Sequence, residues 1–239
     1  MMTGKGMAEW FSIELPVVDY QEVWDLQRLL VTARKEGPLD RDVVILTEHP
    51  PVYTVGRRGG MQDLRVTEDF LRTKGISVIR IERGGNITFH GPGQIVMYPI
   101  IDLRRAGMGV ADLIERLEGI MLRAAADYGL TATRNPLNRG VWVGQRKLGS
   151  VGIAIRRGIS FHGASLNVTN SLEPFSWINP CGLKGIEMTS IAQEISGTVR
   201  MEEVRKDVRR HTEGIFGVAL REMRMARGQV LNYQFLLRK

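Results

Sequence analysis

The 239-residue chain holds a single cysteine, Cys181. A lone cysteine makes no internal disulfide, so this thiol is either a small packing residue or a reactive group. No apolar run approaches the roughly 18 residues of a membrane span. The opening stretch "MMTGKGMAEWFSIELP" has no apolar segment behind its lysine and does not read as a signal peptide. With cysteine so scarce, these absences point to a reducing, cytoplasmic setting and no membrane partner. Aromatic residues make up only 7% of the chain, and no nucleic-acid-binding motif accompanies them. The four histidines, His49, His90, His162 and His211, lack the short spacings of zinc sites, so no metal is expected. "GQRKLGS" (144–150) has the outer spacing of a phosphate loop without its Gly-Lys-Ser/Thr ending, and no Gly-x-Gly-x-x-Gly opens a helix. Nothing calls for ATP or NAD, and no cofactor is expected.

What is present is an ordinary globular composition, 43% hydrophobic and 25% charged. The net charge is +7, and residues 200–239 carry ten Lys/Arg against five Asp/Glu. A basic stretch of this kind is a solvated helix face or a docking surface. Apolar spacing predicts a helix over 20–36, stopped by Gly37-Pro38, and another over 111–128, closed by Gly129. Thr67 is positioned to cap a short helix ending near Gly75. Strands are expected at 43–46, 76–82 (buried), 95–101, 141–144, 147–155 and 159–168, with a tight turn at 156–158. Helix is expected again over 201–214 and after Phe216. Strands grouped between helices give an α+β fold, read as a single domain over 1–239 with a mixed β-sheet flanked by helices.

"RGGNITFHGPGQ" (83–94) is glycine-rich and lies between two strand candidates. It reads either as a long hairpin or surface loop, or as backbone that closely approaches a ligand. His90 and His162 each sit in a Phe-His-Gly triplet, which favours the second reading for both.

Three long blocks carry a resemblance. "RGGNITFHGPGQIVMYPIIDL" (83–103), "GQRKLGSVGIAIRRGISFHGASLNV" (144–168) and "INPCGLKGIEMTSI" (178–191) resemble, in order and spacing, the signature blocks of the lipoate-protein ligase B family, the lipoyl(octanoyl) transferases. "HPPVYTVGRRG" (49–59) is similar to that family's upstream block. The resemblance implies a lipoate/biotin protein ligase-like α+β fold. It also implies octanoyl transfer from octanoyl-acyl carrier protein to a lysine on lipoyl domains of 2-oxoacid dehydrogenases and the glycine-cleavage H protein. In the family the nucleophile is the cysteine of Pro-Cys-Gly, here Cys181, and its partner is a lysine ahead of a Ser-x-Gly turn, here Lys147. The family's substrate-binding segments fall on Arg83, Gly84, Gly85, Asn86, Ile87, Thr88, Phe89 and His90, on Ser150, Val151 and Gly152, and on Gly163, Ala164 and Ser165. One departure stands out. Where the family usually has a large apolar residue and then alanine before Leu-Asn, this chain has Ala164-Ser165, which implies a wider or longer acyl pocket.

The chemistry fits the residue types. Aminolysis of a thioester is downhill, so no nucleotide is needed. A cysteine acyl-enzyme is itself a thioester and keeps the group activated. With an ordinary thiol pKa of about 8.5, only a small fraction is thiolate at neutral pH, and a nearby lysine ammonium would raise that fraction. Backbone N–H groups near Gly91, Gly152 and Gly182 are candidate oxyanion donors. The alternative of an ATP-dependent lipoate or biotin ligase uses the lysine without the Pro-Cys-Gly cysteine. A basic nucleic-acid-binding module would need exposed aromatics among its cations. The net positive charge is instead expected to dock acidic carrier and lipoyl domains, with no nucleic-acid partner.

Overall fold

The computed structural model describes residues 7–135, 138–179 and 185–223. Its frame grows from two neighbouring strands, one partly exposed and one almost wholly buried. Along β1 (Ala8–Val17), Trp10, Ile13 and Leu15 are buried, and β2 (Val43–Glu48) pairs beside it in parallel, Ile13 opposite Ile45. Between them runs α1 (Tyr20–Glu36), opened by the Asp19 side chain accepting from the Gln21 N–H at 2.8 Å. It ends at Gly37, whose φ of 104° only glycine adopts readily.

β3 (Val52–Val55), β4 (Ser77–Arg80) and β5 (Ile87–His90) form a separate three-stranded sheet in the order β4-β3-β5, with α2 (Glu68–Thr73) leading into β4. β6 (Gln94–Ile100) returns to the main sheet and pairs antiparallel with β2. After α3 (Val110–Asp127) come the antiparallel strands β7 (Ala132–Arg134), β8 (Gly140–Val143), β9 (Arg146–Arg156) and β10 (Ile159–Asn167). A short α4 (Ile191–Glu194), then α5 (Met201–Phe216) and β11 (Val218–Glu222), complete an eight-stranded sheet ordered β11-β1-β2-β6-β10-β9-β8-β7.

The sheet is covered on both faces, so its central strands are buried throughout. Val43 and Ile45 pack with Val23, Leu26 and Leu30 of α1, while Val44 and Leu46 pack with Leu113, Leu117 and Ile120 of α3 and Val204 and Val208 of α5. A third cluster, around Tyr53, Leu71, Ile87, Phe89 and Phe175, lies under the small sheet. The expected α+β architecture with a mixed, helix-flanked sheet is the one observed.

Two local expectations are corrected. Over 217–223 the helix expected after Phe216 is replaced by strand: Gly217 takes φ 69° and ends α5, and Val218 and Leu220 then alternate inward as β11 pairs parallel with the outer edge of β1, while the remainder of that expectation, 224–239, lies outside the described residues. The strand at 76–82 is not buried along its length. It shrinks to β4, an edge strand whose Ser77 and Arg80 are exposed, with only the flanking Ile76 and Ile81 buried.

Two of the four Lys/Arg residues of α5 are committed inward, while Lys206 and Arg210 are exposed. Arg205 donates to the Leu15 carbonyl (2.9 Å), the Leu46 carbonyl (3.2 Å) and Glu48 Oε1 (3.0 Å), and Arg209 reaches Ser12 Oγ and Glu14 Oε1. Residues 224–239, the rest of the basic stretch, lie outside the described residues.

Candidate active site

The two short segments 150–152 and 163–165 turn out to be register partners. On neighbouring antiparallel strands, Ser150 faces Ser165, Val151 faces Ala164 and Gly152 faces Gly163. Small residues here leave room for backbone. A Cβ on Gly163 would stand 1.9 Å from the Met97 carbonyl oxygen, and one on Gly152 would stand 3.1 Å from that of Gly84. The Arg83-Gly84-Gly85 loop therefore lies directly on β9, with the Gly84 N–H donating to the Ile153 carbonyl at 2.9 Å. The loop is held from outside by the earlier glycine-arginine run: Gly56, Arg57 and Arg58 N–H groups donate to the carbonyls of Asn86, Arg83 and Gly85.

These strands and loops enclose a cavity of about 590 Å³. Its wall includes Arg83, Gly84, Gly85, Asn86, Ile87, Thr88, His90, Ser150, Val151, Gly152, Gly163, Ala164, Ser165 and Lys147. Of the substrate-binding residues expected among the described ones, only Phe89 is not in the wall. Its ring packs instead on Tyr53 and Phe175, at 5.4 and 5.6 Å. Residues that sequence reading missed complete the wall: Tyr20 at the start of α1, Val96 and Tyr98 of β6, Val110 and Ile114 at the start of α3, Asn138, and the rim cations Arg58 and Arg139. Val96 and Tyr98 fall within the 83–103 block and Arg58 within 49–59, but nothing in those blocks singles these residues out, and no motif marks the others; the apolar face of α3 is legible and extends one turn further toward the cavity.

Lys147 is almost wholly buried, at 1% exposure. Its Nζ donates to Asn138 Oδ1 at 2.5 Å and lies 5.4 Å from the Trp142 ring centroid. Its stem passes over Gly140, where a Cβ would be 3.0 Å from Lys147 Cε and 2.2 Å from the Gly149 carbonyl oxygen. The backbone of Lys147 is gripped by the segment that follows position 181. Its N–H donates to the Glu187 carbonyl at 2.8 Å, and its carbonyl accepts from Thr189 at 2.9 Å. On the preceding side, the Asn179 N–H donates to the Asp63 carbonyl at 2.8 Å. Cys181 itself, with Pro180 and Gly182, lies outside the described residues. Among the other candidate oxyanion glycines, Gly152 lines the cavity and Gly91 does not.

A continuous polar chain ties these pieces together. Arg83 donates to Thr54 Oγ1 (3.0 Å) and to the Thr54 carbonyl (2.6 Å), so much of its guanidinium is occupied by structure. Thr54 Oγ1 is 3.4 Å from His90 Nε2, and His90 Nδ1–H donates to Gln94 Oε1 at 2.7 Å. The tautomer follows from Gln94, whose Nε2 is already donating to Asn167 Oδ1 (2.8 Å) and the Phe89 carbonyl (3.2 Å). Asn167 Nδ2 then donates to the Thr189 carbonyl at 2.9 Å, which returns the chain to the Lys147 backbone.

Folding also gathers three histidines that are far apart in sequence. His49 and His90 have ring centroids 6.0 Å apart, and Tyr20 lies between them and His162, with its hydroxyl 3.5 Å from His162 Nδ1. His49 donates from Nδ1 to the Val18 carbonyl and accepts at Nε2 from the Tyr98 hydroxyl, each at 2.8 Å. Burial holds all three neutral: it lowers His90 to about 3, with His49 adding to the effect, lowers His49 to about 4, and lowers His162. Burial likewise raises the Tyr20 and Tyr98 hydroxyls. His162 has φ 54° in the middle of β10, a strained setting for a residue with a side chain. Among the described residues no group of three or more His, Cys, Asp or Glu could hold a metal ion.

Residues 19–213 match the lipoyl protein ligase A/B catalytic domain. The chain belongs to that family. An octanoyltransferase of Desulfotalea psychrophila is 49% identical over 209 residues, 87% of this chain and 94% of its own length. One of Syntrophobacter fumaroxidans is 44% identical over 206 residues, 86% and 90% of the two chains. Among solved structures, a bi-partite lipoate protein ligase from Thermoplasma acidophilum superposes with a TM-score of 0.73 at 18% identity, covering 97% of this chain and 93% of that one. A lipoate-protein ligase A bound with ATP gives 0.70 at 16% identity, covering 98% and 95%. At those identities the structural likeness establishes the fold alone, a lipoate-protein ligase-like one.

Proposed function

We propose that this protein is an octanoyltransferase of protein lipoylation. It moves an octanoyl group from octanoyl-acyl carrier protein to a lysine of lipoyl domains, with Cys181 as the acyl-carrying nucleophile. The whole chain 1–239 acts as one catalytic domain in the cytoplasm. One observation carries the reading beyond family membership: a buried lysine, Lys147, stands in the wall of the cavity formed by the segments expected to bind the acyl substrate.

The reaction follows from those groups. The Cys181 thiolate attacks the thioester carbonyl of the donor, a C–S bond forms, and collapse of the oxyanion expels the carrier thiolate, which takes a proton from the Lys147 ammonium. The acceptor lysine then attacks the acyl-Cys181 carbonyl. Lys147, now neutral, accepts the proton released as the amide forms, and Cys181 leaves as thiolate. Backbone N–H groups beside Gly152 are candidate donors to each oxyanion. The apolar residues Val96, Val110, Ile114, Val151 and Ile153 in the wall suit an alkyl chain, at about 0.8 kcal/mol per methylene buried.

The test is intact mass after incubation with octanoyl-acyl carrier protein and no ATP. A gain of one octanoyl group, absent in Cys181→Ser and discharged by a lipoyl domain, is expected. Transfer that requires ATP and free octanoate would replace this reading with that of a ligase.

A further inference from the structure

Asn138 lies between β7 and β8 and is almost fully buried, at 8% exposure. Its carboxamide orientation is fixed by chemistry. The lysine amine 2.5 Å away donates, so the facing atom is Oδ1, and Nδ2 points elsewhere. Nδ2 is enclosed and has no hydrogen-bond partner among the described residues. The backbone of Asn138 is used separately: its carbonyl accepts from Trp142 Nε1 at 3.2 Å, and its N–H donates to the Asn135 carbonyl at 3.3 Å. A buried donor left unpaired costs about 1–3 kcal/mol. An apolar side chain would avoid that cost, so the fold gains nothing from this amide as a space-filler. Among the described residues its side chain makes one hydrogen bond, and that bond goes to Lys147.

We infer that Asn138 is a positioning residue for the transfer reaction, fixing the Lys147 amine at the cavity wall and setting its affinity for a proton. The inference rests on the proposed role of Lys147 as acid and base. Oδ1 accepts more strongly from an ammonium than from an amine, so this contact favours the protonated form needed to donate to the leaving carrier thiol. The geometry around it is tight. Gly140 lets Lys147 Cε pass, the Trp142 ring flanks the cation, and Asn138 supplies a side-chain acceptor at Nζ.

Other charged and titratable groups near Lys147 are placed as follows. Glu118 of α3 accepts from the Gly140 N–H at 2.8 Å and pairs with Arg134 (3.2 Å) and Arg139 (3.9 Å). Arg146 on β9 pairs with Glu194 of α4 at 2.8 Å. Arg58, Arg83, Arg139, Tyr20, Tyr98, His90 and His162 line the same cavity.

The test measures the pH dependence of the single-turnover acylation rate for wild type, Asn138→Ala and Asn138→Asp, with thermal unfolding of each. The alkaline limb reports loss of the Lys147 proton. It is expected to move down in Asn138→Ala, with the rate falling by roughly 10²-fold as the amine loses its position. It should move up by roughly one unit or more in Asn138→Asp, where a carboxylate faces the ammonium. Folded variants whose limbs stay at the wild-type pH would overturn the inference. If the Ala variant fails to fold, the isosteric Asp variant decides alone. A wild-type protein that transfers no octanoyl group would refute the proposed function instead, so the two failures are distinguishable.

Discussion

Gln94 Nε2 donates to Asn167 Oδ1 across 2.8 Å, and this bond joins the register partners at the paired ends of β6 and β10. Gln94 also accepts from His90, so its single side chain serves three partners in a dry environment. Gln94→Leu should leave His90 Nδ1, the Phe89 carbonyl and Asn167 Oδ1 each short of a partner. Destabilisation of about 2–4 kcal/mol is expected, from roughly 1–3 kcal/mol for each orphaned group with partial relaxation. Urea unfolding of Gln94→Leu, Asn167→Leu and the double variant checks it. The double variant should lose clearly less than the sum of the two, and strict additivity would show that the two side chains are not coupled.

His49 and His90 predict a pH dependence of stability. Both fold in neutral form with pKa lowered to about 4 and about 3, while in the unfolded chain each titrates near 6.5. Between those limits the unfolded state binds more protons, so acidification favours unfolding. The stabilisation is complete above about pH 6.5 and declines as pH falls toward 4, with a slope of about 1.4 kcal/mol per unit for each histidine. Denaturant titrations from pH 7 to pH 4 should show that slope flattened in His49→Gln. An unchanged slope would mean that His49 is not the titrating group.

Gly140 and Gly144 separate crowding from backbone strain. Both have positive φ, 126° and 57°, but a Cβ meets the Gly149 carbonyl and Lys147 Cε at the first and nothing within 4 Å at the second. Gly144→Ala should cost roughly 1 kcal/mol of stability and leave transfer intact. Gly140→Ala should displace the Lys147 stem and reduce transfer by roughly 10²-fold even where the protein remains folded. Parallel thermal melts and transfer assays compare them, and equal activity in the two variants would rule out the packing argument.

Arg205 and Arg58 test where the positive charge acts on a partner. Arg205 closes the carbonyls of Leu15 and Leu46 and pairs with Glu48, whereas Arg58 is exposed at the cavity wall. Arg205→Ala should lower stability by about 2–3 kcal/mol through the buried acceptors it abandons, without changing KM for the acyl carrier. Arg58→Glu should raise that KM, more at low ionic strength than at high. Salt-dependent kinetics of both variants decide the matter, and a KM change confined to Arg205→Ala would return the docking surface to α5.

The sequence carried the long-period features well because each had a local cause. α1 and α3 show apolar residues at helical spacing and glycine at their ends. The segments 83–90, 150–152 and 163–165 are rich in the small residues that let backbones approach. β11 was missed because "VALRE" follows a helix without a break in composition, and its strand form depends on an open β1 edge that no local rule reveals. β1 went unread for a similar reason: its parallel neighbours on both sides, β11 and β2, come later in the chain. Asn138 was invisible because its meaning lies in a contact nine residues away with Lys147, across a register shift between β8 and β9. The gathering of His49, His90 and His162 around Tyr20 likewise has no periodic trace, being a product of topology.

The parallel seam between β1 and β11 also sets a practical boundary for anyone shortening or fusing the chain. β11 caps a strand whose outward row of amide and carbonyl groups would otherwise be open to another molecule. A cut placed at Gly217 would look harmless, since it follows a helix end and lies far in sequence from Lys147. It would expose an adhesive border along "AEWFS", and the material obtained would self-associate before its catalytic competence could be judged. Any tag or partner domain belongs beyond Glu222.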